Sequence, residues 1–393
     1  MSSRTLVITN DFPPDIGGIQ SFVYGLVSRQ PSDSVVVLTS ASAGGSEFDQ
    51  AQDFEIVRYP SGTLLPEPKV RNLAQEIMRS RDCDRVLFGA AAPLGLLASS
   101  FGPDQVERSV AITHGHEVGW AALPGARHLL RKVGENTEVM TYLGDYTRSK
   151  IGRALNPPAR QRMRRLVPGI DTERFHPRNV SDGMRVREEL GLDSRPVIVC
   201  VSRLMPRKGQ DTLIQALPLV QQRIPDAALL LVGEGRHRGK LEGMVRNEAL
   251  GNDVFFASQV SDQELPSYLA AGDVFAMPCR TRNRGLDVEG LGIAYLEASA
   301  SGLPVVTGDS GGAGNAVIEG ETGYSVSGNS AYPLADALVT LLGDRELSMR
   351  LGRAGRKWVE RDWNWESATH RLTGLLAGTD PDDVRVAHEP EAC

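Results

Sequence analysis

No apolar run in the sequence approaches the roughly 18 residues of a membrane-spanning helix; the longest stretches are of strand length. A bilayer-crossing protein is thereby excluded. The start of the chain has no charged segment, apolar run and cleavage site in succession, because Met1–Arg4 runs directly into the strand-like Thr5–Asn10. Export is not expected. The four cysteines, Cys83, Cys200, Cys279 and Cys393, are scattered, with no Cys-x-x-Cys pair and no histidine at ligand spacing. That excludes a disulfide framework and a structural zinc site, points to a reducing cytoplasm, and leaves no call for a metal or cofactor. A basic excess is also lacking: the net charge is -6, which argues against general nucleic-acid binding. Asp380, Asp382, Asp383, Glu389 and Glu391 against Arg385 place -4 of that charge in the tail, so the rest of the chain is near neutral.

With 41% hydrophobic and 23% charged residues the chain is globular, and 393 residues exceed one ordinary core, so two domains are expected. Strand-length apolar runs alternate with helix-period segments in both halves, the pattern of parallel sheets with crossover helices. Thr5–Asn10, Val35–Thr39, Arg85–Phe88, Ser109–Thr113 and Glu138–Leu143 read as strands of a first domain over 1–177. The polar stretch 178–195 reads as a linker. Val197–Val201, Ala228–Val232, Val254–Ala257, Val274–Met277 and Pro304–Thr307 read as strands of a second domain over 196–361, with a closing helix over 362–377 and an acidic tail over 378–393. The fold class is α/β, two doubly wound Rossmann-like domains whose strand ends can face each other across one cleft.

Four segments carry chemistry. After the first strand, Asp11-Phe12-Pro13-Pro14-Asp15-Ile16-Gly17-Gly18 opens a helix, and paired glycines with free helix N–H groups suit a phosphate, or simply a tight turn. After the first strand of the second domain, Arg203, Arg207 and Lys208 gather cations where this fold binds ligands, and their charge would offset a departing diphosphate. Arg203 and Lys208 are expected on an exposed cleft wall. In Asp287-Val288-Glu289-Gly290-Leu291-Gly292-Ile293-Ala294-Tyr295-Leu296-Glu297, Glu289 falls in a glycine-rich loop and Glu297 in the second turn of a helix, so they meet different parts of a ligand. Glu289 can accept from sugar hydroxyls and Glu297 from a ribose, with the helix start at Gly290, Leu291 and Gly292 turned to phosphate. His116, beyond a strand end, can donate to a sugar oxygen, whereas His114 can serve packing alone.

In order along the chain, Gly17-Gly18-Ile19-Gln20, His116, Pro168-Gly169-Ile170-Asp171 with Phe175, Ser202-Arg203-Leu204 with Lys208-Gly209, Val232-Gly233-Glu234-Gly235, the Glu289 to Glu297 pair and Gly311-Gly312 resemble the retaining glycosyltransferases of the two-Rossmann-domain GT-B type. The resemblance implies that Gly18 meets the diphosphate, Arg203 and Lys208 neutralise it, Glu297 holds the ribose, and Glu289 and His116 hold the transferred sugar. It also implies that the last helix, near Trp365–Leu376, returns to the first domain. Arg280-Thr281-Arg282, Gly285-Leu286-Asp287-Val288-Glu289-Gly290-Leu291-Gly292 and the run Val201–Asp211 look like an actinobacterial subgroup acting on phosphatidylinositol monomannoside, which implies GDP-mannose as donor and an α-1,6 linkage. One departure is that Gly314 and Asn315 stand where the family carries Pro and an acidic residue, which puts ligand contacts from that turn in doubt.

A soluble enzyme acting on a lipid must work at a membrane surface. Arg127, His128, Arg131 and Lys132 repeat at helical spacing over Pro124–Asn136, and Arg153, Arg160, Arg162, Arg164 and Arg165 form a second cationic group. Such a surface would hold the protein on an anionic bilayer, here the inner face of the plasma membrane, with Leu64 and Leu65 as apolar anchors from an exposed loop. The alternatives from the residues alone are another acceptor or nucleotide sugar, a nucleotide-sugar epimerase, or a non-catalytic nucleotide-sugar binding protein; guanine and uracil donors fit equally.

Overall fold

The structure is a computed structural model describing residues 3–379, so the acidic tail beyond Thr379 lies outside the described residues. The chain divides into two compact units: Met1–Gly169 with Trp365–Cys393, and Ile170–Asn364.

The first unit is built on a seven-stranded parallel sheet: β1 (Arg4–Ile8), β2 (Val35–Ser40), β3 (Glu55–Tyr59), β4 (Cys83–Phe88), β5 (Arg108–Ala111), β6 (Val139–Tyr142) and β7 (Arg164–Arg165), in the order β3-β2-β1-β4-β5-β6-β7. β2 is buried along its whole length and Leu6, Val7 and Ile8 of β1 are fully inside, as expected of strands with helices on both faces. Strand order reverses at β1, which pairs with β2 on one side and β4 on the other, so the carboxyl end of β1 is this unit's natural ligand crevice. β3 and β7 escape a reading based on apolar runs. β3 is half-buried throughout, with Glu55 and Arg58 among its residues, and β7 is only two residues long.

The helix Trp365–Ala377 belongs to this first unit, packing on the helix Gly18–Val27 and on β5, and Arg108 donates to the Leu375 carbonyl at 2.7 Å. The packing requires a glycine: a Cβ on Gly25 would stand 2.1 Å from the Trp365 ring. Gly25→Ala is therefore expected to destabilise the protein by about 2 kcal/mol despite its better helix propensity, and Trp365→Leu in the same chain to recover part of the loss. Thermal unfolding of the single and double variants checks this; additive losses would refute the packing account.

The second unit holds a six-stranded parallel sheet: β8 (Val197–Val201), β9 (Ala228–Val232), β10 (Val254–Ala257), β11 (Val274–Met277), β12 (Val305–Gly308) and β13 (Gly323–Val326), ordered β10-β9-β8-β11-β12-β13. Its order reverses at β8, again the first strand of the unit. The stretch 178–195 is not a linker. It contains the helix Val180–Leu190, which packs on the helix Leu265–Ala270; a Cβ on Gly183 would meet the Ala270 carbonyl at 2.4 Å. Arg187 fixes that helix to the sheet, donating to the Ala271 carbonyl and pairing with Asp273 at 2.7 Å. The polar composition that suggested a linker is that of a surface helix burying only Gly183 and Val186. The division between units falls at Gly169, not at 177.

Candidate active site

Each unit carries one cluster at the carboxyl end of its sheet. In the first unit, Gly18 opens the helix Gly18–Val27 directly after β1's loop, and the side chain of Gln20 donates to Asp11 at 3.0 Å. Burial raises the Asp11 carboxyl above its ordinary range, with His114 and His116 pulling the other way. The two histidine rings stack at 6.3 Å. His114 is the structural member: its Nε2 lies 2.6 Å from the Gly89 carbonyl, which makes Nε2 the donor, and burial lowers its basicity. His116 keeps its side chain 40% exposed, with Nε2 at 3.3 Å from the fully buried Glu117 carboxylate. Glu117 in turn accepts from the backbone N–H groups of His114 and Gly115. The buried carboxylate thus stands beside an accessible imidazole whose ring can donate to a bound oxygen.

In the second unit, the loop after β8 and the loop after β11 meet in backbone contact: a Cβ on Gly209, at φ 78°, would stand 2.1 Å from the Pro278 carbonyl, so only glycine serves there. This approach brings Lys208 to Glu289, Nζ to Oε2 at 2.7 Å, with Arg207 at 3.5 Å from the same oxygen. Burial opposes the charge on both partners, yet their attraction wins: Glu289 is held below the usual carboxylate range and Lys208 above the usual ammonium range. The Cys279 thiol donates to Glu289 Oε2 at 3.5 Å, its own ionisation suppressed by burial. The Glu289 backbone is clamped too, its N–H donating to Ser310 Oγ and its carbonyl accepting from Gly312 N–H at 2.8 Å. Gly311 and Gly312 come so close to this loop that a Cβ on either would meet a carbonyl oxygen, of Glu289 or Gly290, at 2.2 and 2.0 Å. Gly314 faces open space.

Of the two cations expected to be exposed, Arg203 is exposed and has no ion-pair partner among the described residues, but Lys208 is only 9% exposed. Tertiary pairing with Glu289 is what buries it. Glu289 sits in the loop, Gly292 caps the helix Ile293–Ala300, and Glu297 lies in its second turn. Glu297 is half-buried and its carboxylate has no hydrogen-bond partner among the described residues; burial pushes its carboxyl up to about 7, with Arg174 lowering and Asp262 raising it. Arg174 and Asp262 form an ion pair beside it at 2.9 Å. Spacing alone did not reveal Cys279, Ser310, Asp11 or Glu117. The available signal was position, since Cys279 follows β11, Ser310 follows β12 and Asp11 follows β1.

The surface residues divide less evenly. Arg127, His128, Arg131 and Lys132 are all exposed on the helix Pro124–Asn136, whose other side buries Leu130 and Val133. The second cationic group is exposed only in part: Arg153, Arg160 and Arg165 are exposed, whereas Arg162 donates to the carbonyls of Gly134, Thr137 and Glu138, and Arg164 is buried, donating to those of Gln161 and Met163. Leu64 is fully buried, held by two hydrogen bonds with Asn10, while Leu65 is 52% exposed and Leu123 50%. None of the described helices is long and apolar enough to cross a membrane.

Two doubly wound sheets, with a paired cation and carboxylate at the second switch point, define a GT-B glycosyltransferase. The family described as glycosyl transferases group 1 matches residues 185–358, the span that holds Arg203, Lys208, Glu289 and Glu297. The fold is shared with Anabaena HepE solved in complex with UDP, at a TM-score of 0.79 and 18% identity over 95% of this chain and 100% of that one. Along nearly its whole length the chain is 44% identical to the GDP-mannose-dependent alpha-(1-6)-phosphatidylinositol monomannoside mannosyltransferase of Mycobacterium tuberculosis, covering 96% of this chain and 99% of that protein. It is also 44% identical to the GDP-mannose-dependent monoacylated alpha-(1-6)-phosphatidylinositol monomannoside mannosyltransferase of Corynebacterium glutamicum, over 95% and 98%. The chain belongs to the glycosyl transferase family that contains these two mannosyltransferases.

Proposed function

We propose that the protein is a retaining α-mannosyltransferase that moves mannose from GDP-mannose to phosphatidylinositol monomannoside, forming an α-1,6 linkage. The observation that carries this reading is the 44% identity, nearly end to end, with relatives named for that reaction. In it, Gly18 and the helix start at Gly290, Leu291 and Gly292 approach the diphosphate, Arg203 and Lys208 neutralise it, and Glu297 accepts from the ribose. Glu289 and His116 hold the transferred mannose. Lys208 then has two partners, Glu289 and the leaving diphosphate, and its charge is already fixed in place before the C–O bond to phosphate breaks. Attack on the same face as the leaving group retains configuration: the acceptor oxygen bonds to the anomeric carbon, and its proton passes to the departing phosphate oxygen. No separate protein base is required. The decisive experiment mixes labelled GDP-mannose with purified protein and phosphatidylinositol monomannoside; label in a dimannoside is the expected result. Label remaining in an isomerised donor would make the protein an epimerase, and unchanged donor with tight GDP binding a carrier.

The place of work is the cytoplasmic face of the plasma membrane, held reversibly by the exposed Arg127, Arg131 and Lys132 with the exposed Leu123 and Leu65 as apolar anchors. Each cation near an anionic surface contributes about 1 kcal/mol, and salt screens this over about 8 Å at physiological ionic strength. The protein is expected to co-sediment with vesicles containing phosphatidylinositol, poorly with phosphatidylcholine alone, and to be released by salt. Reversal of Arg127, Arg131 and Lys132 to Glu should weaken binding while leaving GDP affinity intact. Binding indifferent to lipid charge and salt would remove the membrane reading and leave the transferase reading standing.

A further inference from the structure

The segment after β11, Arg280 to Leu286, is strained, cationic and rigidly based, and its tip has no part in the chemistry above. Asn283, Arg284 and Gly285 all adopt the left-handed region, at φ 50°, 55° and 92°. Two of the three are not glycine, a state that persists only where surrounding structure dictates it. The base supplies that constraint. Arg280 pairs with Asp211 at 2.6 Å, Thr281 Oγ1 lies 3.2 Å from Ser310 Oγ, and Asp287 pairs with Arg207 at 3.4 Å. An antiparallel bridge between Arg282 and Asp287 closes the loop.

What the base holds out is two cations and an apolar side chain. Arg284 is exposed, Arg282 half-buried and Leu286 43% exposed, and among the described residues neither arginine has a carboxylate partner. Guanidinium groups match phosphate oxygens with two parallel donors, and an apolar side chain two residues beyond the second cation suits the boundary of headgroups and acyl chains. Because the loop is already fixed, little ordering opposes its binding.

We propose that the Arg282–Arg284–Leu286 tip binds phosphodiester headgroups of bilayer phospholipid, giving the second unit a membrane contact of its own, distinct from the helix Pro124–Asn136. This rests on the reading of the protein as an enzyme of a lipid acceptor. The test compares the full chain with a variant carrying Arg282→Ser, Arg284→Asn and Leu286→Ser, asparagine being chosen because it tolerates the left-handed backbone. Partition onto phosphatidylcholine vesicles with and without phosphatidylinositol is measured by sedimentation, beside GDP affinity and thermal unfolding. Loss of two cations should lower partition onto the anionic vesicles roughly 10- to 30-fold, with GDP affinity unchanged. Leu286→Ser alone, which leaves the backbone and both arginines in place, should lower it several-fold. Unchanged partition overturns the proposal, as does an equal loss of GDP affinity, which would place the loop in the nucleotide site. Inorganic phosphate is added at constant ionic strength as a competitor; if it abolishes the tip's contribution, the ligand is free phosphate and not lipid. Should the unaltered protein ignore phosphatidylinositol vesicles altogether, the membrane reading falls with it. If reversal of Arg127, Arg131 and Lys132 weakens binding while the tip variant does not, only this inference fails.

Discussion

Lys208→Ala is expected to lower kcat by about two to three orders of magnitude, the usual cost of removing a preorganised group from the site of developing charge. It should also destabilise the protein by about 3 kcal/mol, because Glu289 would be left buried with Arg207 as its remaining cation. These two effects have different origins and can be separated. In the double variant Lys208→Met, Glu289→Gln no ionised carboxylate is left unpaired, so stability should recover while turnover does not. Arg203→Ala should depress kcat comparably without the stability loss, since Arg203 is exposed and unpaired among the described residues. Glu289→Gln should hurt transfer far more than GDP binding, because its carboxylate faces the sugar in the proposed arrangement. Steady-state kinetics with calorimetry and thermal melts resolves all four. Normal turnover in Lys208→Ala would end its assignment to the leaving group, and recovery of kcat in the double variant would show that the pair serves stability alone.

GDP affinity is expected to fall by up to tenfold per pH unit as the pH drops below about 7, through the protonation of Glu297. The sign follows from the direction of the shift. Burial raises the free protein's Glu297 carboxyl to about 7, and a ribose hydroxyl pair donating to it favours the ionised form, so binding must expel a proton whenever the site starts out protonated. Calorimetry at several pH values measures this, with Glu297→Gln as the control that removes the protein's contribution and leaves the nucleotide's own phosphate titration. Glu297→Ala should weaken GDP binding roughly 10- to 100-fold, the range for a hydrogen bond to a charged group. An identical pH profile in Glu297→Gln and the unaltered protein would rule Glu297 out as the ribose acceptor. Stability responds in the opposite sense. The unfolded chain ionises this group near 4.5 and the folded one near 7, so its contribution is full below 4.5 and is lost as pH rises through 7. Glu297→Gln should therefore match the unaltered protein in acid and exceed it in alkali.

The sequence by itself determined the two parallel sheets, because strands buried on both faces must be written as apolar runs, and β2 and β9 are continuous in that sense. It also determined which segments stand at strand ends, since Gly17, Arg203 and Glu289 each lie in the loop that follows such a run. Three of the four edge strands were beyond that reading: β3, β7 and β13 are short or half-exposed and carry no apolar run to betray them, whereas the edge strand β10 does. The helix Val180–Leu190 was hidden for a related reason, a surface helix with two buried residues having the composition of a linker. What only tertiary structure decided is which charges meet. Lys208 and Glu289 are 81 positions apart, and their contact depends on Gly209 letting two loops touch and on Gly311 and Gly312 admitting the Glu289 backbone. The same holds for the arginines. Arg127 and Arg164 look alike in the chain, yet one faces solvent and the other is buried with its donors on carbonyl oxygens, because a guanidinium can satisfy backbone acceptors as readily as a membrane surface.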